Sequence, residues 1–234
     1  MVQAGKPIYL IANWKSHKTW SESEVFLQSF RGFREEGRVV NIICPPFPYL
    51  KAAAELITAL HLPIKLGAQD VSPFPFGAYT GAVSVQMLTG MVEYVIVGHS
   101  ERRRWFHETN QEVANKAAQA LEVGVTPVVC VDESYFREQI LALEPKVLDK
   151  AIFAYEPLAA IGSGQPDKPE HTQAVAEKIN QAAEKEVTVL YGGSVAVETL
   201  ATFLNQPTIQ GALVGGASLK AETWKGLVQA AAKV

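Results

Sequence analysis

Short runs of valine and isoleucine alternate with longer segments in which apolar positions recur every three or four residues, and eight such rounds follow one another along the chain. The short runs predict strands over 7–13 (PIYLIAN), 39–44 (VVNIIC), 64–69 (IKLGAQ), 94–98 (YVIVG), 126–131 (TPVVCV), 151–156 (AIFAYE), 187–193 (VTVLYGG) and 211–216 (GALVGG). Helical spacing fills 21–36 and 110–124 between them. The first of these opens on a Ser-x-x-Glu capping box at Ser21 and Glu24, or one turn away, and the second stops at Gly124. In the connector from 131 to 151, Pro145 predicts a short or broken helix. Apolar strands without strict alternation belong in a parallel sheet covered on both faces.

No Pro/Gly/Ser-rich linker, charge block or sequence repeat divides the chain, so 1–234 reads as one domain. Eight βα units in succession predict the α/β class and a single-domain (β/α)8 barrel. A doubly wound open sheet is the alternative, but the glycine-rich dinucleotide turn after the first strand is missing. With 234 residues, 48% of them apolar, the chain can build a sizeable core. A net charge of −3 gives no reason to expect a nucleic acid or an anionic membrane as partner. Cys44 and Cys130 each sit at the end of a β-branched run and read as buried, unpaired thiols in a reducing compartment. No stretch is long enough to span a bilayer, and the apolar run near the start is too short for a signal peptide. The expected location is the cytoplasm.

In an α/β barrel the chemistry gathers at the carboxyl ends of the strands. There the sequence places Asn13 and Lys15, Gln69, the trio His99, Ser100 and Glu101, then Glu156, and two double-glycine turns, 191–194 (YGGS) and 214–218 (VGGAS). Paired glycines before a helix let backbone N–H groups approach an anion, and both turns follow the last two strands, where barrels hold phosphates. Each residue also has a plainer reading. Lys15 is either a solvated cation or the neutraliser of a bound anion and a developing oxyanion. His99 is either a core imidazole bonded to backbone or a general acid that stays neutral near pH 7. Glu156 ends a buried strand and is followed by a small, glycine-hinged segment; it is either a simple strand end or a base under a movable lid. Arg102, Arg103 and Arg104 read as ion-pair scaffolding around Glu101 and the surface. No His/Cys/Asp/Glu spacing suggests a metal site.

Six motifs together resemble the triosephosphate isomerase family: NWK at 13–15, GAYTG at 77–81, VGHSERR at 97–103, AYEP with AIGSG over 154–164, YGGSV at 191–195 and LVGGASL at 213–219. They run in the family's order from near the first residue to near the last. The resemblance implies a TIM barrel that interconverts dihydroxyacetone phosphate and glyceraldehyde 3-phosphate, with no metal or organic cofactor. It implies Glu156 as the base, His99 as the neutral electrophile, Lys15 as the cation of the pocket, and Asn13 as an amide holding substrate oxygens. Gly162, Ser194, Gly215 and Gly216 match its phosphate contacts, with Ser100 and Glu101 in support. Pro157, Leu158, Ala159, Ala160, Ile161, Gly162, Ser163 and Gly164 match its closing loop.

The chain departs from the family at several places. Ala159 stands where a tryptophan is usual in the first hinge, and Gln165, Pro166 and Asp167 replace Lys-Thr-Ala in the far hinge. Ser16 and His17 differ from the usual residues after NWK, and Ala82 replaces a frequent acid. The loop 71–80, from Val71 to Thr80, shows Phe74 and Phe76 and implies a homodimer with Thr80 near the partner's active site. Two rivals stand beside this reading. A different barrel enzyme for phosphorylated sugars would want a Schiff-base lysine within a strand or a metal set. A phosphosugar-binding protein with lost or weak turnover would follow from the altered hinges.

Overall fold

The computed structural model describes residues 5–34, 37–158 and 165–234. Its strands are β1 (Ile8–Asn13), β2 (Val39–Cys44), β3 (Lys65–Ala68), β4 (Tyr94–Val97), β5 (Thr126–Val131), β6 (Ile152–Tyr155), β7 (Thr188–Tyr191) and β8 (Ile209–Val214). They pair in sequence order, all parallel, and β8 returns to β1 to close a barrel. The described helices are α1 (Trp20–Gln28), α2 (Leu50–Ala59), α3 (Ser100–Phe106), α4 (Asn110–Glu122), α5 (Phe136–Ala142), α6 (Pro145–Leu148), α7 (Pro169–Ala182), α8 (Val197–Leu204) and α9 (Ala221–Ala232). This is the (β/α)8 barrel that the hydrophobic pattern predicts.

Strand alternation divides the core in two. Ile11, Ile42, Cys44, Ile96, Val128, Cys130, Ile152, Ala154, Leu190 and Leu213 pack with one another inside the barrel. Their sequence neighbours, such as Leu10, Ala12, Ile43, Val97, Val129 and Phe153, pack outward against the helices. Both faces are dry, which is why the strands carry no polar alternation. The two cysteines lie inside the barrel, buried and unpaired. Gly67 makes room for one of them, since a Cβ there would stand 2.6 Å from the Cys44 Sγ.

Several boundaries differ from the sequence reading. The capping box of α1 is Thr19 with Glu22, not Ser21 with Glu24. That helix ends at Gln28, short of the predicted 36, and Gly32 turns the chain at φ 74°. Strand eight begins at Ile209, two residues before the expected start at Gly211. Gly211 is interior to the strand, where a Cβ would lie 1.9 Å from the Tyr9 carbonyl oxygen; a glycine in a strand marks close backbone approach as well as an end. The third of the eight expected rounds differs: its connector forms no α-helix, only a short 3₁₀ turn over Val85–Leu88, and Pro73 and Pro75 break its first half. The fifth connector is broken as expected, with Pro145 as first residue of α6. No helix among the described residues is long and apolar enough to cross a membrane.

Candidate active site

The alternation that packs Ile152 and Ala154 inward also turns the next residue of that face, Glu156, into the mouth of the barrel. Its backbone N–H continues the ladder to the Val131 carbonyl (2.8 Å), and its side chain is almost wholly buried. The carboxylate is held from β4's end. Oε2 accepts from the Ser100 backbone N–H (2.8 Å), while Oε1 accepts from the Ser100 hydroxyl (3.3 Å) and lies 3.0 Å from His99 Nε2. His99 reaches this place because Gly98, at φ 69°, swings the chain from β4 into α3; a Cβ there would collide with Val113 and Arg103. The imidazole caps α3, its Nδ1 accepting from the Glu101 N–H (3.2 Å). That bond leaves the proton of the neutral ring on Nε2, facing the mouth. Burial works against the imidazolium, but the charge and hydrogen bond of Glu156, then the charge of Glu101, outweigh it. The His99 pKa is therefore raised, with Lys15 opposing.

On the β1 side, Asn13 and Lys15 are braced by backbone contacts. Lys15 adopts a left-handed φ of 51°, a conformation that costs a non-glycine residue on the order of 1 kcal/mol. Two polar side chains hold it there: Asn13 Oδ1 accepts from the Lys15 N–H (3.0 Å), and Gln69 Nε2 donates to the Lys15 carbonyl (2.9 Å) and to the Cys44 carbonyl (2.9 Å). The ammonium group is 2.6 Å from Glu101 Oε1 and stays partly exposed. Of the arginine run, Arg102 pairs with Asp70 and Glu108, and Lys116 joins the same two acids. Arg103 braces the start of α3 through the Gly98 carbonyl, Asn110 and Gln139. Among the described residues, Arg102 alone of the expected ion-pair scaffolding pairs with acids, Arg104 lies over the Trp105 ring, and the cation of Glu101 is Lys15.

Opposite lie the two glycine turns. Asn13, Lys15, His99, Glu156, Ser194, Gly215 and Gly216 line one cavity of about 380 Å³, together with Pro166, Gly192 and Gly193. Small size is a requirement here. A Cβ on Gly192 would stand 2.8 Å from the Tyr155 carbonyl and 3.0 Å from Glu156 Cγ, and one on Gly193 would strike the Tyr191 ring and hydroxyl. At Gly215 it would press on the Lys15 side chain at 3.2 Å, so the cation lies directly beside this turn. The glycine turns and the start of α8 thus leave backbone facing a space next to an ammonium group, an arrangement suited to an anion.

Pro157 is buried and Leu158 exposed beside Glu156, whereas Ala159, Ala160, Ile161, Gly162, Ser163 and Gly164 lie outside the described residues. Two parts of the site carry less signal in the sequence than in the fold: by sequence Gln69 is only a polar strand end, and Pro166 only a departure. A polar residue ending an otherwise apolar strand is the available signal for Gln69; contact between separate strands leaves none.

The family model described as Triosephosphate isomerase matches residues 8–231. A triosephosphate isomerase of Symbiobacterium thermophilum is 41% identical over 248 aligned positions, covering 95% of this chain and 96% of its own. Those of Thermus thermophilus (37%; 96% and 98% covered) and Dictyoglomus thermophilum (38%; 94% and 98% covered) are similar over nearly the same extent. Buried carboxylate, imidazole, ammonium and glycine turns meet in one barrel mouth of a chain related over almost its full length to these enzymes, and the chain belongs to the triosephosphate isomerase family.

Proposed function

We propose that this isomerase interconverts dihydroxyacetone phosphate and D-glyceraldehyde 3-phosphate by proton transfer through an enediolate, with Glu156 as the base. The observation that carries the reading is the buried Glu156 carboxylate, 3.0 Å from His99 Nε2, at the wall of a cavity whose far side is glycine backbone. Phosphate binds at Ser194, Gly215 and Gly216, with Gly162 contributing from the loop, and Lys15 neutralises charge next to Gly215. Glu156 then exchanges the Ser100 and His99 contacts for the substrate, takes a proton from one carbon and returns it to its neighbour. His99 donates from Nε2 to the oxygen that becomes negative, and Lys15 lowers the energy of the same oxyanion.

The imidazole works as the neutral ring, its Nδ1 accepting from the Glu101 N–H and its one proton on Nε2. Burial, the largest influence, lowers its pKa and Glu156 does most to raise it, so departure of Glu156 leaves burial and Lys15, opposed by Glu101 alone, to favour the neutral ring. Residues 157–164 close over the ligand, exclude water from the carboxylate and keep the enediolate from shedding its phosphate. No metal or organic cofactor takes part.

The chain works as one domain and as a homodimer in the cytoplasm, without nucleic acid or membrane partners. Phe74, Phe76 and Tyr79 of the 71–80 loop and Trp105 and Phe106 of α3 are exposed, aromatic area that a second copy would cover. The base of that loop is pinned through Asp70 to Lys116 and Arg102. Turnover of glyceraldehyde 3-phosphate should be fast in the wild type and fall about a thousandfold in Glu156→Gln. Wild-type protein that binds inorganic phosphate yet does not turn over would overturn the reading and leave a binding protein. Sedimentation at a monomer's mass at all concentrations would overturn the dimer.

A further inference from the structure

The segment from Gln165 to Lys168, just beyond the closing loop, is tied down by a cluster not used in the mechanism. Pro166 lines the phosphate cavity, and the next residue, Asp167, donates its backbone N–H to the Tyr191 hydroxyl (2.8 Å). Tyr191 is buried, stacked on Phe203, and leads directly into Gly192 and Gly193. The Asp167 carboxylate accepts from the Lys168 N–H (2.8 Å) and from Thr172 (3.4 Å), and its Oδ2 lies 2.7 Å from His171 Nδ1. The other ring nitrogen, Nε2, is 3.3 Å from Glu133, on the loop after β5, which also meets Lys178 of α7 at 3.4 Å. Tyr155, next to the base, presents its ring edge-on to the imidazole at 6.4 Å.

We infer that His171 is a positioning residue for catalysis: it fastens residues 165–168 to the loop after β5, and it does so fully only as the imidazolium. Both ring nitrogens face a carboxylate oxygen, and a carboxylate can only accept. A neutral imidazole carries one N–H and can satisfy Asp167 or Glu133, leaving a lone pair against the other acid. The imidazolium satisfies both. The other titratable groups against this cluster are Lys178, whose ammonium lies on Glu133, and Tyr155, whose ring meets the imidazole edge-on.

The inference rests on the proposed isomerase reading and adds to it a pH-dependent grip on the segment beside the phosphate. The partly exposed site sets a modest scale. Between pH 6 and pH 8.5 the KM for glyceraldehyde 3-phosphate in the wild type should rise about two- to fivefold more than in His171→Gln, with kcat changing less than KM. The substrate phosphate's own ionisation acts equally on both proteins, so the difference between the two profiles isolates the imidazole. Glu133→Gln should flatten the same difference while leaving the Asp167 contact in place. Binding of inorganic phosphate, followed across the same pH range, supplies a readout that needs no turnover. Coincident profiles for wild type, His171→Gln and Glu133→Gln, with turnover intact, would overturn the inference alone. Absence of turnover in the wild type would overturn the isomerase reading, and the positioning role of His171 with it.

Discussion

The two halves of the barrel mouth are built on opposite plans. On the side of β1, β4 and β6, the site consists of side chains, each braced by another group: Asn13 and Gln69 hold Lys15, Ser100 holds Glu156, and the Glu101 amide holds His99. On the side of β7 and β8, the site consists of what is left out. Gly192 and Gly193 have no room for a Cβ, one at Gly215 would press on Lys15, and the surface presented to a ligand is largely main chain. The first plan fits reacting atoms, where charge appears and moves and must be met by groups of chosen pKa. The second fits a group that stays chemically unchanged, which needs many fixed dipoles and no proton traffic. Damage to the first half should therefore be read in kcat, and damage to the second in KM.

Lys15 is where that division should break most visibly, because its ammonium group serves both halves. Lys15→Met should lower kcat/KM by about 10²–10³, shared between kcat and KM. A loss confined to KM would return Lys15 to the anion side alone. A smaller effect sharpens the glycine side. Gly193→Ala sets a Cβ 2.3 Å from the Tyr191 hydroxyl, so ring and turn must shift apart. The KM should rise about tenfold, equivalent to about 1.4 kcal/mol of lost binding, with kcat nearly unchanged. A fall in kcat larger than the rise in KM would show that the two halves are not separable.

The smallest effect concerns the braces themselves. Because the folded His99 pKa is raised by Glu156, the pair stabilises the ligand-free fold fully below the unfolded imidazole's value of about 6.5, and this is lost as pH rises through the folded value. The melting temperature of the wild type should thus exceed that of Glu156→Gln by more at pH 5.5 than at pH 8.5, by about 2–4 °C. A difference independent of pH would mean that the contact adds no proton-linked stability.

Much of this is legible from the chain, for reasons that particular residues make clear. Uninterrupted Val/Ile runs announce strands buried on both faces, and their order announces the barrel. Period-two alternation carries Glu156 inward along with Ile152 and Ala154, so the carboxylate can be placed before any contact is known. Gly211 misleads because a glycine that permits close approach of two strands looks the same in sequence as one that ends a strand. Likewise, the capping box at Thr19 and Glu22 has a near-copy two residues on at Ser21 and Glu24. What sequence does not supply is cross-chain bracing. Gln69 meets Lys15 across 54 residues, and His171 of α7 meets Glu133 on the loop after β5, and neither pairing leaves a local pattern.

The two cysteines inside the barrel have a use that involves no chemistry of the site. Burial pushes both thiols up, far from the range in which a thiolate forms, so a thiol reagent has neither access nor nucleophile while the staves stay joined. Labelling can proceed only when the cylinder opens, which makes Cys44 on β2 and Cys130 on β5 two clocks set into different staves. If both run at one rate, the cylinder opens as a whole. If they run at different rates, one arc of it parts before the other.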